Sequence, residues 1–278
     1  MKQLYGVIGN PIAHSMSPDM HNDAFAHQGI NADYHAFKVD GQDLEDAVMG
    51  MKAIGVKGFN VTVPHKEAII PFLDRLDALA EQIGAVNTVK LIDGKWVGFN
   101  TDGLGYVKGL CEQLDRPLSE LRILLIGAGG AAKGIYYSLV HEGAKRVDIA
   151  NRTVKRIESL LEGSENQSVQ SKGISLSEAE QSLSEYDLII QTTSIGLKPN
   201  TDDMPIRLDN VRRSAFISDI IYNPLETAFL QAAKQKGCQT QNGLPMFVHQ
   251  GALAFNIWTG ISPDPERMKS IVLKKLGG

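Results

Sequence analysis

Short apolar runs of strand length alternate along the chain with stretches whose apolar residues recur at helical spacing. Leu4 to Ile8, Tyr34 to Val39 and Gly58 to Val63 read as strands, and Pro18 to Gln28 and Leu44 to Ile54 as helices between them. That alternation predicts a mainly parallel sheet with covering helices. Ala85 to Ile92 and Lys95 to Phe99 are parted by Asp93-Gly94, a pair that accepts the positive φ of a two-residue hairpin turn, so an antiparallel edge is expected. After a helical stretch from Gly103 to Leu114, a second series begins with strand-like Arg122 to Ile126 and helical Ala131 to His141, then strand-like Arg146 to Ala150, Leu188 to Gln191 and Phe216 to Ile220. Glu162 to Glu185, rich in Ser, Glu and Gln, reads as a surface connection with at most a short strand and helix. Beyond Gly243 the apolar pattern of Met246, Phe247, Leu253, Phe255, Ile257 and Trp258 predicts a buried helix, and Pro265 to Leu276 a final one.

The 278 residues exceed the usual length of one domain, roughly 100–200 residues, which predicts two. Hydrophobic residues at 43% and charged residues at 22% sit near the globular average, which argues against disorder in this α/β chain. A net charge of −4 without a basic run gives nucleic acid nothing to bind, so small molecules are the expected partners. Cys111 and Cys238 have no CxxC spacing, which fits a reducing compartment better than a disulfide framework or zinc site. The N-terminal apolar run breaks at Gly9, Asn10 and Pro11, unlike a signal peptide, and no stretch approaches the ~20 apolar residues of a membrane span. The expectation is a cytoplasmic protein, without a membrane partner, acting as a monomer or homodimer. None of the seven histidines lies in a metal-ligand spacing, so no metal is expected, and His14, His21, His65 and His249 read as packing or hydrogen-bonding residues.

Arg122 to Ile126 runs directly into Gly127-Ala128-Gly129-Gly130-Ala131-Ala132, a GxGxxA fingerprint in a strand-turn-helix context. Gly127 serves the tight turn, Gly129 allows backbone to approach a pyrophosphate at a helix N-terminus, and Ala132 lets helix and strand pack closely. About twenty residues on, where a carboxylate would select NAD, the chain reads Asn151-Arg152-Thr153. Arg152 and a hydroxyl accept a 2′-phosphate that a carboxylate would repel, and Lys155 and Arg156 add charge nearby, so NADP is the expected cofactor. The bland reading of that cluster is a solvated helix start.

Ser17-Pro18-Asp19 reads as a helix start with Ser17 at the N-cap, closed by Gly29. Ser17 could serve as a cap alone; with Ser15, two residues earlier, it could also face an anion beside free helix N–H groups. Thr62 and Lys66, in Asn60-Val61-Thr62-Val63-Pro64-His65-Lys66, leave the third strand-like run, and ligands of open α/β sheets gather at such carboxyl ends. Asn87 and Asp102 are polar residues in otherwise apolar or glycine-rich segments, and polar groups there need partners.

Taken together, these segments resemble the shikimate dehydrogenase family over nearly the full length. The resemblance rests on residues 9–18, Asn60 to Lys66, Gly84-Ala85-Val86-Asn87-Thr88, Asn100-Thr101-Asp102-Gly103, the glycine fingerprint, Asn151-Arg152-Thr153, and Gly243-Leu244-Pro245-Met246 leading to Gln250. It implies a substrate domain of residues 1–101 with 243–278 and a Rossmann-type NADP-binding domain of residues 102–242. It also implies that Ser15 and Ser17 hold a substrate carboxylate, and that Thr62, Asn87, Asp102 and Gln250 contact ring hydroxyls and carbonyl, with Tyr222 near the substrate. Lys66 and Asp102 are then catalytic. Gly127 to Ala131, Asn151, Arg152, Thr153, Arg156 and Gly243 fall at the cofactor, and Thr193 and Ser194 match cofactor positions loosely. The implied reaction is reversible reduction of 3-dehydroshikimate to shikimate by NADPH, in chorismate and aromatic amino-acid biosynthesis. A quinate/shikimate dehydrogenase with relaxed substrate or cofactor use, and a non-catalytic NADP-binding sensor, are the alternatives.

Overall fold

The computed structural model describes residues 2–162 and 168–277. Residues 163–167, inside the predicted surface connection, lie outside the described residues. The chain divides into two compact units, one of Met1–Gly105 with Val248–Gly278 and one of Tyr106–Phe247.

In the first unit, β1 (Gln3–Gly9), α1 (Ser17–His27), β2 (Ala32–Lys38), α2 (Leu44–Ala53) and β3 (Gly58–Val61) realise the alternating pattern. They are followed by α3 (His65–Ala68), β4 (Arg75–Leu76), α4 (Ala78–Ile83), β5 (Thr88–Ile92) and β6 (Lys95–Phe99). The sheet order is β2-β1-β3-β5-β6-β4. Only β5 runs against the others, being antiparallel to both β3 and β6. The hairpin forms where Asp93 (φ 49°) and Gly94 (φ 73°) supply the two positive φ values of its turn. It is not the edge that the sequence predicts. The two-residue strand β4 pairs parallel with β6 and takes the edge, too short to leave an apolar signature.

The helix α1 is closed by Gly29 at φ 67°, where Gly29 N–H reaches Ala26 O and Ile30 N–H reaches Phe25 O, a Schellman stop. Its start corrects the expectation. Met16 is already in the helical region (φ −90°, ψ −6°), so Ser17 is the first helical residue and caps nothing.

The helix α5 (Asp102–Cys111) carries the chain into the second unit. There β7 (Arg122–Ile126), α6 (Gly130–His141), β8 (Arg146–Ala150), α7 (Lys155–Leu161), β9 (Gly173–Ile174), α8 (Leu176–Ser182), β10 (Leu188–Gln191), β11 (Phe216–Asp219), α9 (Ala228–Gln235) and β12 (Gln239–Gln241) follow. All strands are parallel, in the order β12-β11-β10-β7-β8-β9. Numbered from β7, this is the doubly wound order of a Rossmann fold, whose ligand crevice opens between β7 and β10 where the winding reverses. Ile123, Leu124, Leu125, Ile126, Leu188, Ile189 and Ile190 are all at most 1% exposed, as strands covered on both faces must be.

The helix α10 (Leu244–Thr259) returns the chain to the first unit, and α11 (Pro265–Leu276) ends it. Trp258 stands over Gly58 so closely that a Cβ there would collide with its indole, and its Nε1–H donates to Val89 O at 3.0 Å. Phe255 packs on Phe25, and Arg267 grips Asp23 with two hydrogen bonds of 2.6 and 2.8 Å. Those contacts, 150 or more residues distant in sequence, bring the C-terminal segment into the N-terminal unit.

Candidate active site

At the switch point of the second unit, Gly127 has φ 114°, and a Cβ there would meet Thr192 Oγ1 at 2.5 Å. Both facts demand glycine for the fold alone. Gly129 and Gly130 differ, because a Cβ on either would enter open space. Exposed Gly129, Gly130 and Ala131 form the start of α6, which has no side-chain cap, so first-turn N–H groups lack an intrahelical acceptor. Ala128 is half-buried beside them, and Ala132 is fully buried. A cradle left open by the glycines, with first-turn N–H groups at a helix N-terminus, fits a dinucleotide pyrophosphate.

Beyond β8, the Asn151 amide donates to Thr153 O at 2.9 Å and shapes the turn. Arg152, Thr153, Lys155 and Arg156 are exposed, and no ion pair engages the three cations among the described residues. The cluster is thus available to a phosphate at the end of the second strand of the fingerprint fold.

A cavity of about 490 Å³ in the same unit is lined by Thr192, Thr193, Ser194, Leu197, Ile220, Ile221, Tyr222 and Asn223. Burial pushes the Tyr222 phenol above its ordinary pKa, and its ring packs on Phe247. The need for glycine at Gly243 has an internal cause, since a Cβ there would fall on the carbonyl of Ile220.

In the first unit, Lys66 is the second residue of the short helix α3 and Asp102 opens α5. Lys66 Nζ donates to Asp102 Oδ2 at 2.6 Å, with side chains 33% and 21% exposed, so the pair is half-desolvated yet reachable. Both are fastened to the segment between α4 and β5. Val86 N–H donates to Lys66 O at 2.8 Å, while Thr101 N–H donates to Asn87 Oδ1 at 2.7 Å. The Asn100 amide donates to Ala85 O, and Asn100 Oδ1 accepts the Asp102 N–H that begins α5.

Asn87 itself is buried and spends much of its capacity internally, donating to Thr101 Oγ1 at 2.9 Å. Behind it Asn60 donates to Asn87 O and Thr88 Oγ1, and accepts from the buried Tyr34 phenol at 2.7 Å. Burial drives the Tyr34 phenol well above its ordinary pKa, so it stays neutral and can act as that donor. Tyr34, Asn60, Thr88 and Thr101 form a layer that sequence reasoning left without roles. Their signal was the one that exposed Asn87 and Asp102, polar side chains amid apolar strands.

Ser15 and Ser17 come together where Ser15 Oγ accepts the Ser17 N–H at 3.3 Å. Thr62 lies against Gly9, whose missing Cβ makes room for its methyl group. Gln250 packs by its backbone on Gly105 of α5, one turn from Asp102. Tyr222 belongs to the second unit. His65 is buried with Nε2 bonded to Val39 O at 2.8 Å, and His21 is buried in an aromatic stack, whereas His14, in the loop before α1, is exposed. Among the described residues no group of three His, Cys, Asp or Glu could hold a metal ion.

A doubly wound dinucleotide fold, together with a reachable lysine–carboxylate pair at strand ends, defines the class of nicotinamide-nucleotide-dependent oxidoreductases. Family models for the shikimate dehydrogenase substrate-binding domain, shikimate/quinate 5-dehydrogenase and the shikimate 5′-dehydrogenase C-terminal domain match residues 7–89, 110–222 and 243–273. The chain belongs to the shikimate dehydrogenase family. A shikimate dehydrogenase (NADP+) of Bacillus cytotoxicus is 56% identical over 278 residues, all of both chains. The crystal structure of a Listeria monocytogenes shikimate 5-dehydrogenase with shikimate and NAD has a TM-score of 0.92 at 35% identity, covering 98% of this chain and 96% of that one. A shikimate dehydrogenase in complex with NADP+ has a TM-score of 0.89 at 40% identity, covering 99% and 96%.

Proposed function

We infer that this chain is an NADP-dependent shikimate dehydrogenase, catalysing the reversible reduction of 3-dehydroshikimate to shikimate in chorismate and aromatic amino-acid biosynthesis. The observation that carries the reading is the 2.6 Å contact of Lys66 Nζ with Asp102 Oδ2 in a half-open setting. Bound NADPH supplies the hydride. Reduction leaves negative charge on the former carbonyl oxygen, and the Lys66 ammonium neutralises that charge and delivers a proton to it. An ammonium has three donors, so the one spent on Asp102 leaves two for substrate. Asp102 aims the ammonium and accepts a ring hydroxyl with its second oxygen. In the oxidation direction Lys66 takes the proton back.

Ser15 and Ser17 bind the carboxylate, Thr62, Asn87 and Gln250 the hydroxyls and carbonyl, and Tyr222 lies near the substrate. Residues 1–101 with 243–278 serve the substrate and residues 102–242 the cofactor. Gly127, Ala128, Gly129, Gly130 and Ala131 receive the pyrophosphate, and Asn151, Arg152, Thr153 and Arg156 the adenosine 2′-phosphate. Gly243 borders the cofactor. The proposed setting is the cytoplasm, with the protein a monomer or homodimer; among the described residues no helix is long and apolar enough to cross a membrane.

Initial rates with shikimate and with quinate, each with NADP+ and with NAD+, test this directly. A kcat/KM for shikimate with NADP+ at least about 10-fold above the other three pairings is expected, since each missing charge-assisted contact forfeits about 1.5–3 kcal/mol. Equal rates with quinate or NAD+ would move the protein to the relaxed quinate/shikimate type. No turnover with any pairing would leave the non-catalytic sensor.

A further inference from the structure

The segment 220–227, between β11 and α9, has no regular secondary structure, yet its backbone is tied down along its length. Ile220 N–H donates to Gln191 O at 3.1 Å, Gly243 N–H donates to Ile221 O at 2.9 Å, and the Asn242 amide donates to Leu225 O at 2.8 Å. The remaining ties converge on one side chain. Asp219, at the end of β11 and 0% exposed, accepts the Ile221 N–H on Oδ1 at 2.9 Å and the Thr227 hydroxyl on Oδ2 at 2.8 Å. It therefore bridges both ends of the loop whose middle presents Tyr222 and Asn223 to the cavity.

Placing a carboxylate in such a position is expensive, and an apolar residue would pack there without the cost. The geometry points to Asp219 and Thr227 as positioning residues, a clamp that holds the 220–227 loop in a preformed shape so that Tyr222 meets the substrate in one orientation. The inference rests on the assignment of Tyr222 to the substrate. Neither clamp residue needs to touch a ligand. Asp219 acts through the Ile221 N–H, directly before Tyr222, and Thr227 fixes the far end while accepting the Leu230 N–H as the cap of α9. Burial pushes the Asp219 carboxyl up to about 6, which agrees with a charge held in place by two hydrogen bonds and little else.

Asp219→Asn probes the clamp directly, and Thr227→Val, at a buried but uncharged side chain of similar shape, probes it should the first variant fold poorly. Thr227→Ser keeps the hydroxyl and serves as the rescue. In either disrupting variant kcat/KM for shikimate falls by about 10- to 100-fold, the scale of losses when a reacting group is held slightly out of place. NADP+ affinity, measured by fluorescence titration, stays within about twofold because the fingerprint turn is untouched, and Thr227→Ser returns near-normal rates. Tyr222→Ala is measured alongside. Impaired Tyr222→Ala with normal rates in Thr227→Val and Asp219→Asn overturns the clamp alone. Normal rates in all three overturn the assignment of Tyr222 and the clamp with it. Equal losses of NADP+ affinity and of kcat/KM in the clamp variants overturn it too, since they would mark a general collapse of the cofactor side.

Discussion

Under the proposed roles Lys66 and Asp102 act as a unit, because the carboxylate paired with the ammonium is also the group that loses its partner when the ammonium is removed. Lys66→Ala is expected to lower kcat by about 10²–10⁴-fold, the scale of general acid–base catalysis, with a smaller change in KM. Asp102→Asn is also severely impaired, and the double variant loses less than the product of the single losses. Steady-state rates at saturating shikimate and NADP+ check this; a normal kcat with only a raised KM in Lys66→Ala would make Lys66 a binding residue. Arg152 poses a separate question of selectivity. It is exposed and carries no ion pair among the described residues, so its replacement should cost the fold little. Arg152→Ala is expected to weaken NADP+ by roughly 10- to 100-fold and leave NAD+ nearly unchanged, because only NADP+ brings a 2′-phosphate for the guanidinium to grip. Equal losses for both cofactors, read by titration, would assign Arg152 to the fold.

Within the β7–α6 turn, neighbouring glycines serve different ends, and single alanines separate them. Gly127→Ala meets Thr192 and a positive φ, so a large loss of thermal stability is expected. Gly129→Ala meets no atom and its backbone is extended (φ −98°, ψ −174°), so the melting temperature should hold while NADP+ affinity drops by about 10-fold or more. A stable Gly129→Ala protein with unchanged NADP+ affinity would remove the pyrophosphate from this cradle. At the scale of elements, the sequence pattern was most legible where strands were apolar and long. Arg122 to Ile126 and Arg146 to Ala150 coincide with β7 and β8, and Pro265 to Leu276 with α11. It passed over α4 and α9, although Asp77 and Thr227 stand as N-caps that accept from Ala80 and Leu230. The strands β4 and β12 left no apolar trace, being two and three residues long and largely polar or exposed.

Stability of the molecule against pH is set in part by buried groups that titrate differently once the chain unfolds. His21 is 0% exposed, neither ring nitrogen has a hydrogen-bond partner among the described residues, and burial lowers its pKa to about 3. The unfolded chain therefore binds a proton that the folded one refuses, and the folded state loses stability as pH falls from about 6.5 toward 3. The loss from this group is about 2 kcal/mol between pH 7 and pH 5. Asp219 works in the opposite direction. Its raised pKa means the folded state accepts a proton first, so the penalty of its buried charge is present above about pH 6 and fades as pH falls toward 4. His21→Phe keeps a ring against Tyr34 and should flatten the acid limb of a denaturation profile relative to the parent protein. An unchanged slope between pH 7 and pH 5 would mean that His21 is protonated in the folded protein.

Gly127 to Ala132 with Asn151-Arg152-Thr153 could be read without coordinates, because a tight turn, a close backbone approach and a charge after the second strand are demands that local chemistry states by itself. The same holds for Asp93-Gly94, where two adjacent residues satisfy a hairpin turn whatever surrounds them. The start of α1 could not be read in this way: capping depends on backbone angles at Met16, and a serine followed by proline fits either side of the boundary. Asn87 announced that it needed partners but not that Thr101, Asn60 and, through Asn60, Tyr34 would be drawn into the network. Those contacts join residues 14 to 27 positions apart, and their pairing follows from which strands become neighbours in the sheet. The clamp at Asp219 was equally silent, since an aspartate at a strand end is unremarkable until burial removes its water and leaves it to Ile221 and Thr227.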